Sequence, residues 1–432
     1  MTMEKDTFPT DRKSDNRRFR PRAQCLVVGG GAAGLMAAGQ AALAGAEVMV
    51  LEKMPRAGRK LAITGKGRCN LTNVALLTEF IGHFGSTGSF LRQAFHRYFT
   101  ADLLEFFEEI GVATVTERGG RVFPASGSAP EVVAALLRWL DGCGVVIRTN
   151  APVERLVLAD TGVTGVVSNG TVIPCTALIL ATGGASYPLT GSTGDGYRLA
   201  EQAGHRIVPV RPALVPLVTE EEWTGRPAGL QLRNIRVQLF TSNKKQAEAF
   251  GELTFMEFGL SGPVILTLSG RVVDALAGGS EVFLMLDLKP GLDDKKLDAR
   301  LIRDFEQRHR EPLSSVLRGL LPQELVPIAL EITGLPPDRL AGTVRAAERK
   351  RLRYWLKNWR IRIVGHRPLA EAIVTAGGVD TREVDPRTMG SRRVRGLFFA
   401  GEVLDLQADT GGYNLQAAFS TGWLAGRSAA AG

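Results

Sequence analysis

Continuous apolar runs and amphipathic segments alternate at both ends of the chain. Near the N-terminus, CLVV at 25–28 and VMVL at 48–51 are typical of strands buried on both faces, and residues 32–44 between them predict a helix. Near the C-terminus, LFFAGE at 397–402 predicts another buried strand, and 415–427 predicts a closing helix. Both ends of the chain therefore contribute to one α/β unit.

The middle of the chain has a different pattern. From about 207 to 289, turn signals separate short apolar runs that predict strands: IRVQLFTSN, ELTFM, VILTLS and EVFLMLDL. From about 292 to 358 the pattern is helical. The predicted fold class is α/β, with the following parts: a basic, disordered tail at 1–24; a Rossmann-like domain from 25–206 and 372–432; a β-rich, barrel-like insertion from 207–290 and 359–371; and a helical insertion at 291–358.

Composition agrees with a globular protein, since 44% of the 432 residues are hydrophobic and 22% are charged. No apolar run approaches the roughly 20 residues that a membrane-spanning helix needs. The four cysteines, Cys25, Cys69, Cys143 and Cys175, are scattered and form no CxxC pair. We expect a cytoplasmic protein without disulfides and without a membrane segment.

The net charge of +9 is concentrated in one segment. Residues 345–367 contain nine lysines or arginines and one acid, Glu348. This segment is either an anion-binding surface or a solvated helix face whose cations pair with distant acids, and we favour the second interpretation. Tyr354, Trp355 and Trp359 could stack on bases, but their helical spacing favours a place in a core.

The first strand and helix are joined by GGGAAG at 29–34, which fits the G-x-G-x-x-G pattern of a dinucleotide-binding unit. Gly29 permits the tight turn, Gly31 lets the backbone approach a pyrophosphate, and Gly34 lets the helix pack on the strand. Glu52 ends the second strand, where a carboxylate accepts hydrogen bonds from an adenosine ribose. No second copy of this pattern follows, so a dedicated NAD(P)H domain is not expected.

Three further glycine-containing segments indicate a large cofactor. The first, AGRKLAITGKGRCNLTN at 57–73, places four cations among glycines. The second is ATGG at 181–184, where an apolar strand ends. The third combines FAGE at 399–402 with GGYNLQ at 411–416, where a helix begins. Its N-terminus suits the negative charge of a reduced flavin, whereas a nicotinamide dinucleotide does not require this element.

These motifs, with TGDGY at 193–197, GLSGP at 259–263 and TAGGV at 375–379, resemble a known family. The chain is similar to bacterial FAD-dependent oxidoreductases of the aminoacetone-oxidase-like and 3-dehydro-bile-acid reductase-like group, within the two-dinucleotide-binding-domain flavoproteins. The resemblance spans Cys25 to Gly426. One departure concerns Met256–Glu257, where a Thr-His pair is expected before GLSGP, and it leaves substrate identity open.

The resemblance implies noncovalently bound FAD and a set of cofactor-binding positions. Glu52 would hold the ribose, and Val153 would lie beside the adenine through its backbone. The full set of positions is Gly29, Gly31, Ala32, Ala33, Gly34, Glu52, Lys53, Arg59, Lys60, Thr64, Asn70, Val153, Thr182, Gly183, Gly401, Glu402, Asn414 and Leu415. Of these, Gly31, Ala33 and Gly34 would face the pyrophosphate. Arg59, Lys60 and Thr64 would lead toward the flavin, Thr182 and Gly183 would flank the dinucleotide, and the last four would close over the ribityl chain and ring.

The predicted activity is hydride transfer between FAD and a small organic substrate, as an NAD(P)H reductase or an amine or ketone oxidase. NADH or NADPH would dock transiently, or oxygen or another acceptor would reoxidise the flavin. The alternative is an RNA-modifying flavoprotein, which the basic segment 345–367 motivates. The absence of a GGGHAG-type variant of the glycine motif argues against the best-known enzymes of that kind.

No catalytic acid or base stands out. The five histidines, His83, His96, His205, His309 and His366, are isolated in the sequence and are interpreted as surface or packed residues. Cys69 is either a reactive thiol beside the flavin or a structural residue, and we favour the structural role. No spacing of histidines predicts a metal site, and no G-x-S-x-G motif predicts a hydrolase.

Overall fold

The computed structural model describes residues 23–160 and 162–431. The first strand begins at Ala23, two residues before its predicted start at Cys25. The rest of the predicted N-terminal tail lies outside the described residues. Within them, no helix is both long enough and apolar enough to cross a membrane.

The described strands carry the labels used below. In chain order they are β1 (Ala23–Val28), β2 (Val48–Leu51), β3 (Thr72–Asn73), β4 (Thr114–Thr116), β5 (Arg121–Pro124), β6 (Val146–Arg148), β7 (Val153–Ala159), β8 (Gly162–Ser168), β9 (Thr171–Leu180), β10 (Ile207–Ala213), β11 (Leu217–Thr219), β12 (Gln231–Thr241), β13 (Lys244–Met256), β14 (Gly259–Ser261), β15 (Val282–Asp287), β16 (Trp359–His366), β17 (Val374–Val379) and β18 (Leu397–Phe399).

The described α-helices are labelled in the same way. They are α1 (Ala32–Leu43), α2 (Arg59–Ile63), α3 (Leu77–Gly82), α4 (Arg92–Arg97), α5 (Thr100–Glu109), α6 (Ala129–Gly142), α7 (Asp195–Gln202), α8 (Pro263–Ala277), α9 (Asp294–Gln307), α10 (Leu313–Leu317), α11 (Val326–Thr333), α12 (Ala346–Lys357) and α13 (Tyr413–Ala431).

The main sheet has the order β6-β2-β1-β9-β8-β7, and β18 pairs with β9. Strands β6, β2, β1, β9 and β18 run parallel, whereas β7, β8 and β9 form an antiparallel meander. Both chain ends therefore meet in one sheet, which confirms the predicted α/β Rossmann-like fold.

Helices α1 and α13 cross at close range beside the parallel strands. Their backbones approach where α13 carries glycine, since a Cβ atom on Gly422 would lie 2.4 Å from the Ala33 carbonyl oxygen. On the next turn, a Cβ atom on Gly426 would lie 2.2 Å from the Ala37 carbonyl oxygen. The C-terminal helix thereby fixes the helix that follows the glycine motif.

A closed barrel with the order β11-β14-β13-β12-β15-β16 forms the β-rich part. The prediction of a strand at VILTLS (264–269) is wrong, because these residues belong to α8. Pro263 stands in the first turn of α8, where a missing N–H costs nothing. Val264, Ile265, Leu268 and Val272 lie on one buried face at helical spacing, and they pack into the core that fills the barrel.

One hydrophobic core joins the barrel to helices α9 to α12. Trp355 and Trp359 belong to this core, as their spacing favours, whereas Tyr354 is 63% exposed. Six cations of the basic segment contact acids, and the pairs are Arg349–Asp298, Arg353–Asp294, Lys357–Asp287, Arg360–Glu281, Arg362–Glu220 and Arg367–Glu371. Most of the segment is therefore neutralised within the protein.

Substituting Lys357 with methionine is expected to lower the free energy of unfolding by about 3 kcal/mol, because the buried carboxylate of Asp287 would lose its counter-ion. The Lys357 ammonium lies 2.6 Å from Asp287 and also donates to the Lys289 and Leu292 carbonyl oxygens. The matched control is Arg226→Met, which breaks an exposed pair with Glu331 and is expected to cost less than about 1 kcal/mol. Urea unfolding of both variants measures the difference, and equal losses would contradict this account.

Candidate dinucleotide-binding site

The turn between β1 and α1 is built by three glycines in different ways. Gly29 has a φ of +105°, and a Cβ atom there would lie 2.5 Å from the Ala181 carbonyl oxygen. A Cβ atom on Gly34 would lie 1.9 Å from the Gly29 carbonyl oxygen. At Gly31, by contrast, a Cβ atom would meet no described atom within 4 Å. The first two glycines serve packing, whereas the third leaves an open surface at the helix N-terminus.

The N-terminus of α1 suits an anion. Gly31 is its N-cap residue, no side chain caps the helix, and no acidic residue stands in the first turn. The N–H groups of a first turn have no partner inside their own helix, and the helix dipole adds positive potential there. Ala32 and Ala33 form the start of this turn, so neither brings a bulky side chain to the open surface.

Glu52 follows β2 beside this turn and is buried, with an exposed fraction of 9%. Its Oε2 accepts a hydrogen bond from Gly30 N at 2.7 Å, and its Oε1 accepts one from Met54 N at 2.8 Å. Each carboxylate oxygen has a second lone pair. The side chain is thus held rigidly by the backbone while it keeps acceptor capacity for hydroxyl groups.

Replacing Glu52 with glutamine is expected to destabilise the apoprotein by about 1–3 kcal/mol and to weaken FAD binding at least tenfold. The amide nitrogen would face either Gly30 N–H or Met54 N–H, and two donors cannot pair. Thermal unfolding of the apoprotein and a fluorescence titration with FAD measure the two effects. Glu47→Gln is the control, because Glu47 immediately precedes β2 and is exposed. A variant that matches this control would contradict the assigned role.

A polar network lies where α2, β17 and the segment after β18 meet. The Lys60 ammonium contacts Glu402 Oε2 at 2.7 Å and donates to Ser186 Oγ at 2.8 Å. Glu402 Oε1 accepts from Thr375 N at 2.8 Å and from Ser186 Oγ at 3.2 Å. The structure brings the predicted residues Lys60 and Glu402 together. It adds Ser186 and Thr375, both fully buried, which the sequence analysis missed.

Gly401 connects this network to the glycine turn. It has a φ of +75°, and a Cβ atom there would lie 2.7 Å from the Ala33 Cβ atom. Gly401 N also donates to Thr421 Oγ1 on α13 at 2.9 Å. Gly58 N donates to the Gly30 carbonyl oxygen at 2.7 Å. The segments around 30, 58 and 401 are therefore packed against one another.

Several residues predicted to bind the cofactor use their side chains for contacts within the protein. These contacts hold neighbouring loops in place. Arg59 donates to the Leu189 carbonyl oxygen at 3.0 Å, and Thr64 Oγ1 donates to the Lys60 carbonyl oxygen at 2.9 Å. Lys53 contacts Asp195 on α7 at 2.5 Å. Thr182 lies against α7, since a Cβ atom on Gly196 would lie 2.0 Å from its Oγ1.

The remaining predicted positions lie next to strands β7 and β9. Gly183 has a φ of +74° and stands three residues after the end of β9. Val153 begins β7 and is buried, and the Arg198 guanidinium donates to its carbonyl oxygen at 3.4 Å. Ala151 N donates to the Glu52 carbonyl oxygen at 2.9 Å. Val153 follows Ala151 by two residues, so the start of β7 lies close to Glu52.

The loop before α13 is tied to the 57–73 segment. The Asn70 amide, oriented by its hydrogen-bonding neighbours, accepts from Gly412 N at 3.0 Å and donates to the Thr72 carbonyl oxygen at 3.1 Å. Asn414 Oδ1 accepts from Ala408 N at 2.8 Å, so this side chain clasps its own loop. Leu415 is half-buried and packs against the main core. The side chains of Asn70 and Asn414 therefore hold the loop before α13 in its conformation.

Cys69 lies inside this loop region with no exposed surface, and burial raises the pKa of its thiol to about 12. A protonated, buried thiol is a poor nucleophile, which supports the structural interpretation. All four cysteines are free thiols.

Two residues singled out in the sequence analysis have defined surroundings in the structure. Glu257, where the family pattern leads to an expected histidine, is exposed in the turn between β13 and β14. His83, interpreted as a surface or packed residue, contacts Asp409 through Nδ1 at 2.9 Å and stacks on Tyr413 with ring centroids 3.9 Å apart. His83 and Asp409 are 326 residues apart in the chain, and no local sequence pattern links them. Only knowing that position 83 packs against the loop containing GGY (411–413) could have revealed this contact.

The residues present fit FAD by a direct test. The open surface at Gly31 has room for a phosphate, the N-terminus of α1 offers donors, and Glu52 offers acceptors one strand away. A second helix N-terminus, that of α13, follows the loop tied to Asn70. FAD matches this distribution: its pyrophosphate would meet the donors of α1, its adenosine ribose the acceptors of Glu52, and its flavin half the N-terminus of α13.

Comparison with known proteins finds relatives that match nearly the whole chain. A 3-dehydro-bile acid delta(4,6)-reductase from Clostridium scindens is 34% identical over 406 residues, which cover 94% of this chain and 98% of the relative. A ribosomal RNA dihydrouridine synthase from Escherichia coli strain K12 is 31% identical over 403 residues, which cover 93% of this chain and 96% of that relative. The crystal structure of a 3-ketosteroid delta1-dehydrogenase from Sterolibacterium denitrificans shares the fold, with a TM-score of 0.52, 14% identity, and coverage of 95% and 100%.

Fold, site and relatives together define the class of this protein: it is a FAD-dependent oxidoreductase. Residues 23–428 match the family described as HI0933-like protein Rossmann domain. The chain belongs to this HI0933-like family.

Proposed function

We propose that this enzyme uses reduced FAD to saturate a carbon–carbon double bond conjugated to a carbonyl group in a small cyclic substrate. The observation that carries the proposal is the shared chemistry of two relatives that match nearly the whole chain. A delta(4,6)-reductase acting on a 3-dehydro-bile acid reduces double bonds conjugated to a ketone. A dihydrouridine synthase reduces the double bond of uracil that is conjugated to its C4 carbonyl.

The chain's own residues bind and orient the cofactor in this proposal. Gly31 and the first turn of α1 hold the pyrophosphate, and Glu52 holds the ribose. Lys60 and Glu402 border the path toward the flavin, and the α13 N-terminus offers a positive dipole end to the flavin ring. Bound FAD, once reduced, supplies the hydride. NADH or NADPH is the proposed reductant and docks transiently, since the chain has one dinucleotide-binding pattern.

Ribosomal RNA is the second candidate substrate, favoured by the dihydrouridine synthase relative and by the net charge of +9. The ion pairs of segment 345–367 weigh against it, because cations that contact acids on the same protein are less available to phosphates. A small organic substrate is therefore the first choice.

Anaerobic stopped-flow absorbance tests the proposal with two probes. The enzyme is loaded with FAD, reduced with dithionite, and mixed either with a 3-oxo-4,6-diene bile acid or with ribosomal RNA transcribed in vitro. Rapid return of the oxidised flavin spectrum with the steroid supports the first choice, and a return with RNA alone supports the second. Flavin that stays reduced with both probes would contradict the proposed reaction.

The electron donor is tested separately by mixing the oxidised enzyme with NADH or NADPH in the absence of oxygen. We expect one of the two nucleotides to bleach the flavin absorption faster than the other. If neither does so, the donor is another reductant, and the nicotinamide part of the proposal is wrong.

A further inference from the structure

We propose that His83 is the acid that delivers the proton to the substrate, with Asp409 as its counter-ion and Tyr413 as its support. This inference rests on the proposed reaction. Saturating a conjugated double bond requires a hydride at one carbon and a proton at the carbon next to the carbonyl. The hydride comes from reduced FAD, and the proton needs a donor beside it.

The imidazole of His83 is held on two sides. Asp409 Oδ2 lies 2.9 Å from Nδ1, and the ring stacks on Tyr413 with an interplanar angle of 22°. Tyr413 in turn packs edge-on against Phe80, with ring centroids 4.7 Å apart. Two contacts of different kinds therefore fix both the position and the tilt of the ring, as a group that transfers a proton directionally needs.

The remaining ring nitrogen of His83, Nε2, has no hydrogen-bond partner within residues 23–160 and 162–431. The side chain keeps 27% of its surface exposed, so a substrate can reach this atom. A carboxylate on Nδ1 leaves the proton for transfer on Nε2, because Nδ1–H stays donated to Asp409.

The pair stands at the loop that precedes α13. Asp409 is clasped by Asn414, whose Nδ2 donates to the Asp409 carbonyl oxygen at 3.3 Å. Asn73 Nδ2 donates to the Gly411 carbonyl oxygen at 3.1 Å, which ties the loop to the segment after α2. His83 thus faces the same loop whose Gly412 contacts Asn70, at the flavin end of the proposed cofactor path.

Other ionisable groups fit this task less well. His205 also faces a carboxylate, Glu383 at 3.3 Å, but its side chain is fully buried. The Cys69 thiol is buried as well. Burial raises the pKa of Tyr413, so its hydroxyl stays protonated and supports the ring without ionising. Among the groups considered, only His83 is fixed by a carboxylate and open to a substrate.

The step balances as follows. The substrate gains a hydride, with its two electrons, and one proton from the protonated imidazole at Nε2. The flavin returns to its oxidised state, and His83 becomes neutral with Nδ1–H still donated to Asp409. Water then returns a proton to Nε2, and NAD(P)H or dithionite restores the reduced cofactor.

His83→Gln tests the inference in the enzyme loaded with FAD and reduced with dithionite. We expect flavin reoxidation by the 3-oxo-4,6-diene bile acid, or by RNA if that is the active probe, to slow at least 100-fold, within the range for general acids. FAD affinity and apoprotein melting should stay close to wild type. His96→Gln is the matched control, since His96 is exposed on α4. His83→Ala should regain part of its reoxidation rate when imidazole is added, which a structural role would not produce.

A readout without cofactor is ¹⁵N NMR of the apoprotein. We expect Nδ1 of His83 to carry its proton in the wild type, and we expect this preference to be lost in Asp409→Asn. Wild-type reoxidation rates in His83→Gln would overturn the inference and leave the proposed function intact. A wild-type enzyme that neither probe reoxidises would overturn the proposed function and this inference with it.

Discussion

Replacing Gly31 with aspartate is expected to weaken FAD binding at least 100-fold while leaving the apoprotein as stable as the wild type or up to about 1 kcal/mol more stable. Gly31 is the N-cap of α1 with φ −85° and ψ −174°, a conformation open to any residue, and its Cβ position is free of neighbours. Aspartate is a strong N-cap, so the helix gains a partner for its free N–H groups. The same carboxylate occupies those donors and repels a pyrophosphate.

The opposite signs of the two effects make this variant informative. Isothermal titration with FAD gives the affinity, and urea unfolding of the apoprotein gives the stability. Gly31→Asn is the control, because it caps the helix without the charge and should keep more of the affinity. If Gly31→Asp binds FAD like the wild type, the pyrophosphate does not lie at the α1 N-terminus.

Replacing Gly34 with alanine is expected to lower the free energy of unfolding by about 3 kcal/mol and to abolish FAD binding. The added Cβ atom would lie 1.9 Å from the Gly29 carbonyl oxygen, so α1 must move away from β1. Because Gly29 is itself held against Ala181, the turn cannot yield without displacing β9 as well.

Gly270→Ala in α8 is the matched control for Gly34→Ala. Gly270 is also helical, and a Cβ atom there would meet no described atom within 4 Å. Alanine at this position should stabilise the protein by about 0.5–1 kcal/mol, through helix propensity alone. Differential scanning calorimetry of both variants measures the contrast, and similar melting temperatures would contradict the close approach of α1 to β1.

The sequence was sufficient for the parts of the fold that depend on local patterns. The glycine turn, the buried strands on either side of it and the closing helix are encoded within short segments, so periodicity and glycine spacing predicted them. VILTLS was ambiguous, because a short apolar run with β-branched residues suits a strand or a buried helix. Pro263 at the start of that run was the local signal for a helix.

Features that depend on distant partners could not be predicted. Lys357 is neutralised by Asp287, which is 70 positions earlier, and composition alone does not reveal this pairing. The His83–Asp409 contact joins the C-terminal end of α3, where His83 is the C-cap residue, to the loop before α13. Ser186 and Thr375 belong to the site only because both donate hydrogen bonds to Glu402 from separate segments of the chain. Sequence reasoning found the residues set by the motif and missed those set by the packing of one segment on another.

The visible absorption spectrum of the purified protein, followed by titration of the apoprotein with FAD, tests the central claim most directly. The account predicts a yellow protein, or a colourless apoprotein that binds one FAD per chain and gains a flavin spectrum, with an affinity at least 100-fold lower in Gly31→Asp. A colourless wild-type protein that binds no FAD under any condition would contradict it.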